Sequence, residues 1–241
     1  VDKDGFGLYQ VADYETLLDH PAEMSDFEEV TFEILDRPHR FVVHGKGEID
    51  LERISQDLAA ICAEEVELYG ELPVRHYLFL LWVVGRGYGG LEHKDSTSLM
   101  IDRDSLPVSG MEKMTPGYRR LLGLCSHEYF HLWNVKRITP EVFQQQDTTQ
   151  EVYTRQLWVF EGITSYYDEL ILIRSGVITR RDYFEMLADG VTRVMRGAGR
   201  LKQTLEESSF EAWTKFYKQD ENAPNAIVSY YAKGALVALL L

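Results

Sequence analysis

The run TPGYRRLLGLCSHEYFHLW, residues 115–133, marks where a 241-residue chain turns from strands to helices. Thr115 and Pro116 make an N-cap and first-turn pair, and a helix is expected from there through Leu121, Leu124, both histidines and Trp133. Inside it, His127-Glu128-Tyr129-Phe130-His131 sets two imidazoles four residues apart. Residues at that spacing share one helix face a turn apart, so both rings can reach one Zn²⁺ while Glu128 stands beside them to handle a proton of water. A catalytic zinc usually takes three protein ligands. Glu161 is the candidate third, because it follows Leu157, Trp158, Val159 and Phe160, and a carboxylate so flanked is costly to bury unless a charge compensates it. Asp168 and Glu169 sit in more polar surroundings and rank behind it.

On the N-terminal side the pattern is one of strands. Residues 1–28 show no period, and then VTFEI and RFVVHG read as two short strands joined by a DRPH turn. From Asp50 an amphipathic helix carries Leu51, Ile54, Leu58 and Ile61 on one face and meets Gly70 and Pro73 as stop signals. HYLFLLWVV, residues 76–84, is a continuous apolar run suited to a strand covered on both faces. The glycine-rich GRGYGG reads as a turn, after which LEHKDSTSLMI can return as another strand. On the C-terminal side, helices are expected from about Trp158 to Arg174 with Gly176 as terminator, from Thr179 with Asp182 as a capping box, and from about Ser229 onward. Strands followed by helices argue for an α+β chain: a small mixed sheet, then a mainly helical lobe. Residues 1–47 are assigned to the end of an upstream β-rich region and a lead-in hairpin, and 48–241 to the main domain.

Composition narrows the partners. With 45% hydrophobic and 27% charged residues the chain can bury a core, and 25 Lys+Arg against 39 Asp+Glu give a formal charge of −14. Nucleic acid and anionic membrane surfaces are disfavoured by that sign. Cys62 and Cys125 have no CxxC spacing, so neither a disulfide framework nor a thiolate site is expected, and Cys125 points to the core. Trp82, Trp158, Trp213 and the Tyr166-Tyr167 pair read as packing aromatics. His20, His39, His44 and His76 have no partner at metal-ligand spacing, and His93 adjoins Glu92. No apolar run is long enough to span a bilayer and VDKDGFGLYQ lacks a leader pattern. A start without Met and a stop inside ALVALLL lead us to expect that both ends are cut; a soluble, cytoplasmic location is the default.

Three motifs in order carry a resemblance. His-Glu-x-x-His-x-Trp at 127–133, followed by Trp158-x-x-Glu161-Gly162-x-Thr164-x-Tyr166-Tyr167, resembles the glycyl aminopeptidase family of zinc metallopeptidases, within the thermolysin-like gluzincin group. Tyr88-Gly89-Gly90-Leu91-Glu92-His93 is similar to the G-x-M-E-N exopeptidase motif of related aminopeptidases, and Ser229-Tyr230-Tyr231-Ala232-Lys233-Gly234 to their Tyr-x-Lys-Gly motif. The resemblance implies a thermolysin-like catalytic domain, truncated at its C-terminal end, whose one Zn²⁺ is held by His127, His131 and Glu161 with Glu128 as base. It further implies that Glu92 holds the N-terminal ammonium of a peptide substrate, that Gly89 and Gly90 offer backbone to it, and that Tyr231 faces the scissile carbonyl. Tyr230 is the alternative for that last role. The spacing between His131 and Glu161 is longer than in leukotriene-hydrolase-like relatives. Ser165 also stands where thermolysin has an aspartate four residues after its ligand glutamate, so Asp168 is not taken to orient a histidine. Full-length members usually add an upstream β-rich domain and a downstream helical region with a PDZ domain.

The expected activity is therefore zinc-dependent removal of the first residue from peptides with a free N-terminus, with Gly or Ala favoured there. Two other readings compete: a thermolysin-like endopeptidase, in which Glu92 merely ends an edge strand, and a non-catalytic peptide-binding module with structural zinc. The second has no use for a base beside an open coordination position.

Overall fold

Two antiparallel strands, β1 (Glu28–Ile34) and β2 (Arg37–His44), begin a five-stranded mixed sheet. Only Leu35 and Asp36 turn the corner between them, both at positive φ (50° and 58°), so the expected four-residue turn is corrected: Arg37, Pro38 and His39 already lie in β2. The computed structural model describes residues 7–45, 47–144, 147 and 149–241; residues 1–6, read above for a leader, lie outside that set. Helix α1 (Leu51–Tyr69) then crosses the sheet to β3 (Tyr77–Val84), which pairs parallel with β2. Its ends are those the sequence announces. Asp50 accepts the Arg53 N–H at 3.0 Å, and Gly70 takes the left-handed conformation (φ 74°) that closes a helix without a Cβ clash.

β4 (Tyr88–Glu92) runs back along the sheet edge, and β5 (Ser96–Asp102) inserts between it and β3, giving the order β1-β2-β3-β5-β4. The turn expected over GRGYGG is shorter than that, since Tyr88, Gly89 and Gly90 belong to β4. One sheet face, with Phe41, Val43, Phe79, Leu81, Leu99 and Ile101, packs against Ile54, Leu58 and Ile61 of α1 and against α2 (Pro116–Phe130), which contributes Tyr118, Leu121 and Tyr129. The expectation of a strand covered on both faces is corrected here. Outward-facing Leu78 and Leu80 are only half-buried and Trp82 is 56% exposed, so an apolar run of strand length need not be sandwiched. Trp213 is likewise exposed rather than a packing aromatic.

Helix α2 opens as its sequence predicts, with Thr115 accepting the Tyr118 N–H at 3.1 Å. It stops at Phe130, however, earlier than the expected Trp133, and His131 serves as its last half-helical residue. Leu132 and Trp133 donate to the carbonyls of Tyr129 and Phe130 in tightened i→i−3 bonds, which bend the chain back toward the site. A π-turn (Trp158–Gly162) then leads into α3 (Ile163–Arg174). Helix α4 (Arg180–Arg196) starts on a complete Thr179–Asp182 capping box, and α5 (Tyr230–Leu240) starts on Ser229, whose hydroxyl accepts the Ala232 N–H at 3.2 Å. Strands in one sheet and helices massed on one side make the α+β arrangement. Among the described residues no helix is long and apolar enough to cross a membrane.

Candidate metal and substrate site

His127 lies on the last turn of α2 and His131 at its end, with ring centroids 4.8 Å apart and nearly perpendicular planes. Glu161 reaches both: its Oε2 is 3.1 Å from His127 Nε2 and 3.4 Å from His131 Nε2. Two imidazole nitrogens and one carboxylate oxygen within 4.8 Å of one another form the donor set of a three-ligand catalytic zinc site, so these residues fit the metal their motifs imply. Burial opposes the charge on all three groups. It is overcome at Glu161 by the charge of His131 and hydrogen bonds from both imidazoles, which hold the carboxyl well below its usual range. In turn, hydrogen bonds to Asp168 and Glu161 raise His127 well above an ordinary imidazole, and Glu161 raises His131.

The π-turn explains how Glu161 gets there. Glu161 is the fourth of its five residues, and the carbonyl of the preceding Phe160 accepts a bond from Asn134 Nδ2 at 3.0 Å. Asn134 also uses its own carbonyl to accept from His131 Nδ1 at 2.9 Å, so one residue fixes both the ligand helix and the ligand turn. Behind the π-turn, α5 crosses at backbone contact: a Cβ on Gly162 would lie 2.6 Å from Gly234 Cα. That crossing puts the Tyr231 ring 6.1 Å from the ring of His127. Tyr230, the alternative, is 1% exposed and stacks beneath Tyr231 at 4.5 Å.

His127 Nδ1 lies 2.9 Å from Asp168 Oδ2. The departure at Ser165 left the partner of this imidazole open, and Asp168 fills the place. Positions four and seven residues beyond Glu161 both lie on its helix face, and here the second-turn position bears the carboxylate while Ser165 occupies the first. Glu169, the other rival ligand, stays outside the donor group and is pushed by burial up to about 8. Asn134 and Tyr217 carry no motif in the sequence, and Gly162 stands there only as a letter of the Trp-x-x-Glu-Gly motif. Its meaning, backbone contact with Gly234, appears only in the structure.

Glu128 is 4% exposed, its Oε2 has no hydrogen-bond partner, and burial pushes its carboxyl up to about 7. Beside it stands β4. A Cβ on Gly90 would sit 2.1 Å from Glu128 Oε1, so only glycine lets this strand pass over the carboxylate. Two residues on, Glu92 brings its carboxylate into a group with Glu128 and His131 whose polar atoms lie within 4.8 Å of one another. The β4–β5 turn that holds Glu92 is closed by His93 N–H donating to the Ser96 carbonyl at 2.8 Å and pinned by Lys94 N–H donating to Asp19 at 2.8 Å. Gly89 has open space on its Cβ side.

Two solved structures share this fold. An aminopeptidase N family protein from Idiomarina loihiensis superposes with a TM-score of 0.93 at 46% identity, over 95% of this chain and 39% of its own. An M1 zinc metallopeptidase from Deinococcus radiodurans has the same fold at a TM-score of 0.50 and 18% identity, over 87% of this chain and 39% of its own. The chain thus spans about two-fifths of the length of either neighbour. A search of curated proteins finds no match. Residues 120–237, from within α2 to within α5, match the model of the M61 glycyl aminopeptidase family.

Proposed function

We propose that the chain is the catalytic part of a zinc-dependent aminopeptidase, with one zinc held by His127, His131 and Glu161, and with residues 48–241 forming its catalytic domain. The observation that carries this reading is the placement of Glu92 against Glu128 and His131: a carboxylate beside a base and a metal-type donor set. When bound, zinc supplies Lewis acidity and lowers the pKa of a water toward ~7. Glu128 takes a proton from the attacking water at its unpartnered Oε2 and returns it to the departing amine. Tyr231 stays protonated, because burial first and the negative charge of Glu161 next raise its pKa, and it donates a hydrogen bond to the carbonyl oxygen as charge develops there. Glu92 binds the substrate ammonium and so admits only the first peptide bond, while the backbone of Gly89 and Gly90 aligns the peptide. A first residue as small as Gly or Ala is favoured on the family resemblance.

Glu92→Ala tests this reading. Removing one partner of a charge-assisted pair costs kcat/KM about 30-fold or more on peptides with a free N-terminus. N-acetylated peptides are poor substrates of the parent protein and lose little more in the variant. Internal cleavage of blocked peptides at parent rates, unchanged by Glu92→Ala, would replace the aminopeptidase with an endopeptidase.

Gly90 supplies a second check. Alanine there drives its methyl into Glu128 Oε1 and displaces the base by about an ångström, a shift that costs roughly 100-fold in kcat. Metal content of Gly90→Ala stays at the parent value. A variant of full activity would mean that the Glu128 carboxylate does its work from another position.

A further inference from the structure

The hydroxyl of Tyr217 lies 3.1 Å from that of Tyr230 and 3.1 Å from that of Tyr231. We propose that Tyr217 is a positioning residue that orients the Tyr231 hydroxyl toward substrate; the inference rests on the reading of Tyr231 as the donor to the carbonyl oxygen. The sequence motifs give Tyr217 no part, since it follows a second π-turn (Ala212–Phe216) far from the metal-type residues in the chain.

Three phenols in a row can share their protons in only a few ways. Tyr230 is 1% exposed, and a buried phenol needs a partner for its proton; in the proposed arrangement it donates to Tyr217, 3.1 Å away. The Tyr217 proton is then directed to the Tyr231 oxygen, and the Tyr231 proton is left for the substrate. Run the other way, the chain would spend the Tyr231 proton on Tyr217 and leave nothing to donate. A phenol whose oxygen accepts a hydrogen bond also becomes a stronger donor, because successive bonds polarise one another. Packing fixes the geometry: the Phe216 ring lies 5.2 Å from Tyr217, 5.0 Å from Tyr230 and 5.8 Å from Tyr231. Tyr217 itself is 61% exposed, and its hydroxyl links the buried Tyr230 to Tyr231.

The test is a cycle of Tyr217→Phe, Tyr231→Phe and the double variant, assayed on a free aminoacyl-peptide. Phenylalanine keeps the ring that packs on Phe216 and removes only the hydroxyl. Tyr217→Phe is expected to lower kcat about five- to tenfold, the scale of one neutral hydrogen bond, with KM and zinc content unchanged. Tyr231→Phe lowers kcat by about 10²–10³, and adding Tyr217→Phe to it changes nothing further. A Tyr217→Phe enzyme at the parent kcat, or losses that multiply in the double variant, overturns the role of Tyr217 and leaves that of Tyr231 standing. A silent Tyr231→Phe overturns both.

Discussion

Glu128→Gln is expected to retain zinc and fold while losing about 10³-fold or more in kcat. The amide matches the carboxylate in size, so β4 still passes over it at Gly90 and the packing of α2 is undisturbed. What it cannot do is accept a proton, and a positioned base contributes about 10²–10⁴-fold. The carboxyl of Glu128 is raised from 4.5 to about 7, chiefly by burial, with the charges on His127 and His131 pulling it back down. A base works only when deprotonated, so kcat/KM should fall as pH drops through its pKa. Positive charge added between the two imidazoles lowers that pKa further, which places the acidic limb between about 4.5 and 7. The limb should vanish from the residual activity of Glu128→Gln. Metal analysis, a pH–rate profile and a thermal melt check the three parts, and near-parent turnover in the variant removes Glu128 from the mechanism.

The residues that were legible from sequence are those governed by local rules. Caps depend on a side chain meeting an N–H three residues away; those read at Thr115 and Thr179 stand where the sequence puts them, and the helix starts read at Asp50 and Ser229 prove to be caps of the same kind. The pairing of His127 with His131 is likewise a property of one helix. Positions that depend on a departure from regular geometry were not legible. Helix α2 ends at Phe130, where His131 closes on the Asn134 carbonyl, a contact no periodicity announces. Asp168 reaches His127 from α3, a contact between residues 41 apart in the chain that no local pattern announces. Gly90 and Gly234 are single letters within motifs, yet their meaning, backbone passing within a Cβ's reach of another chain segment, exists only in three dimensions. Trp82 shows the opposite error: its strand is apolar, but nothing in a strand's sequence says which face a neighbour covers.

Loss of one carboxylate should cost the metal itself. Glu161→Ala leaves His127 and His131 as the only ligands of the three, and we expect zinc affinity to fall by more than about 100-fold, beyond the ~10–100-fold typical of removing a partner behind a ligand. Asp168→Asn supplies that comparison, since it keeps all three ligands and weakens only the acceptor at His127 Nδ1. The sign of the pH dependence follows from the same contacts. Without metal, Glu161 and Asp168 hold the imidazole of His127 protonated to well above its usual pKa, and Glu161 does so for His131. Zinc binds neutral imidazole, so binding must expel those protons, and affinity rises as pH climbs through the raised values. Competition with a chelator of known affinity should therefore give tighter binding at pH 8 than at pH 6, with protons released on binding. In Glu161→Ala the carboxylate that raised His131 is gone, so the dependence flattens as the affinity falls. Stoichiometric zinc and full turnover in Glu161→Ala would send the third ligand elsewhere, and Glu169 would be the next residue to change.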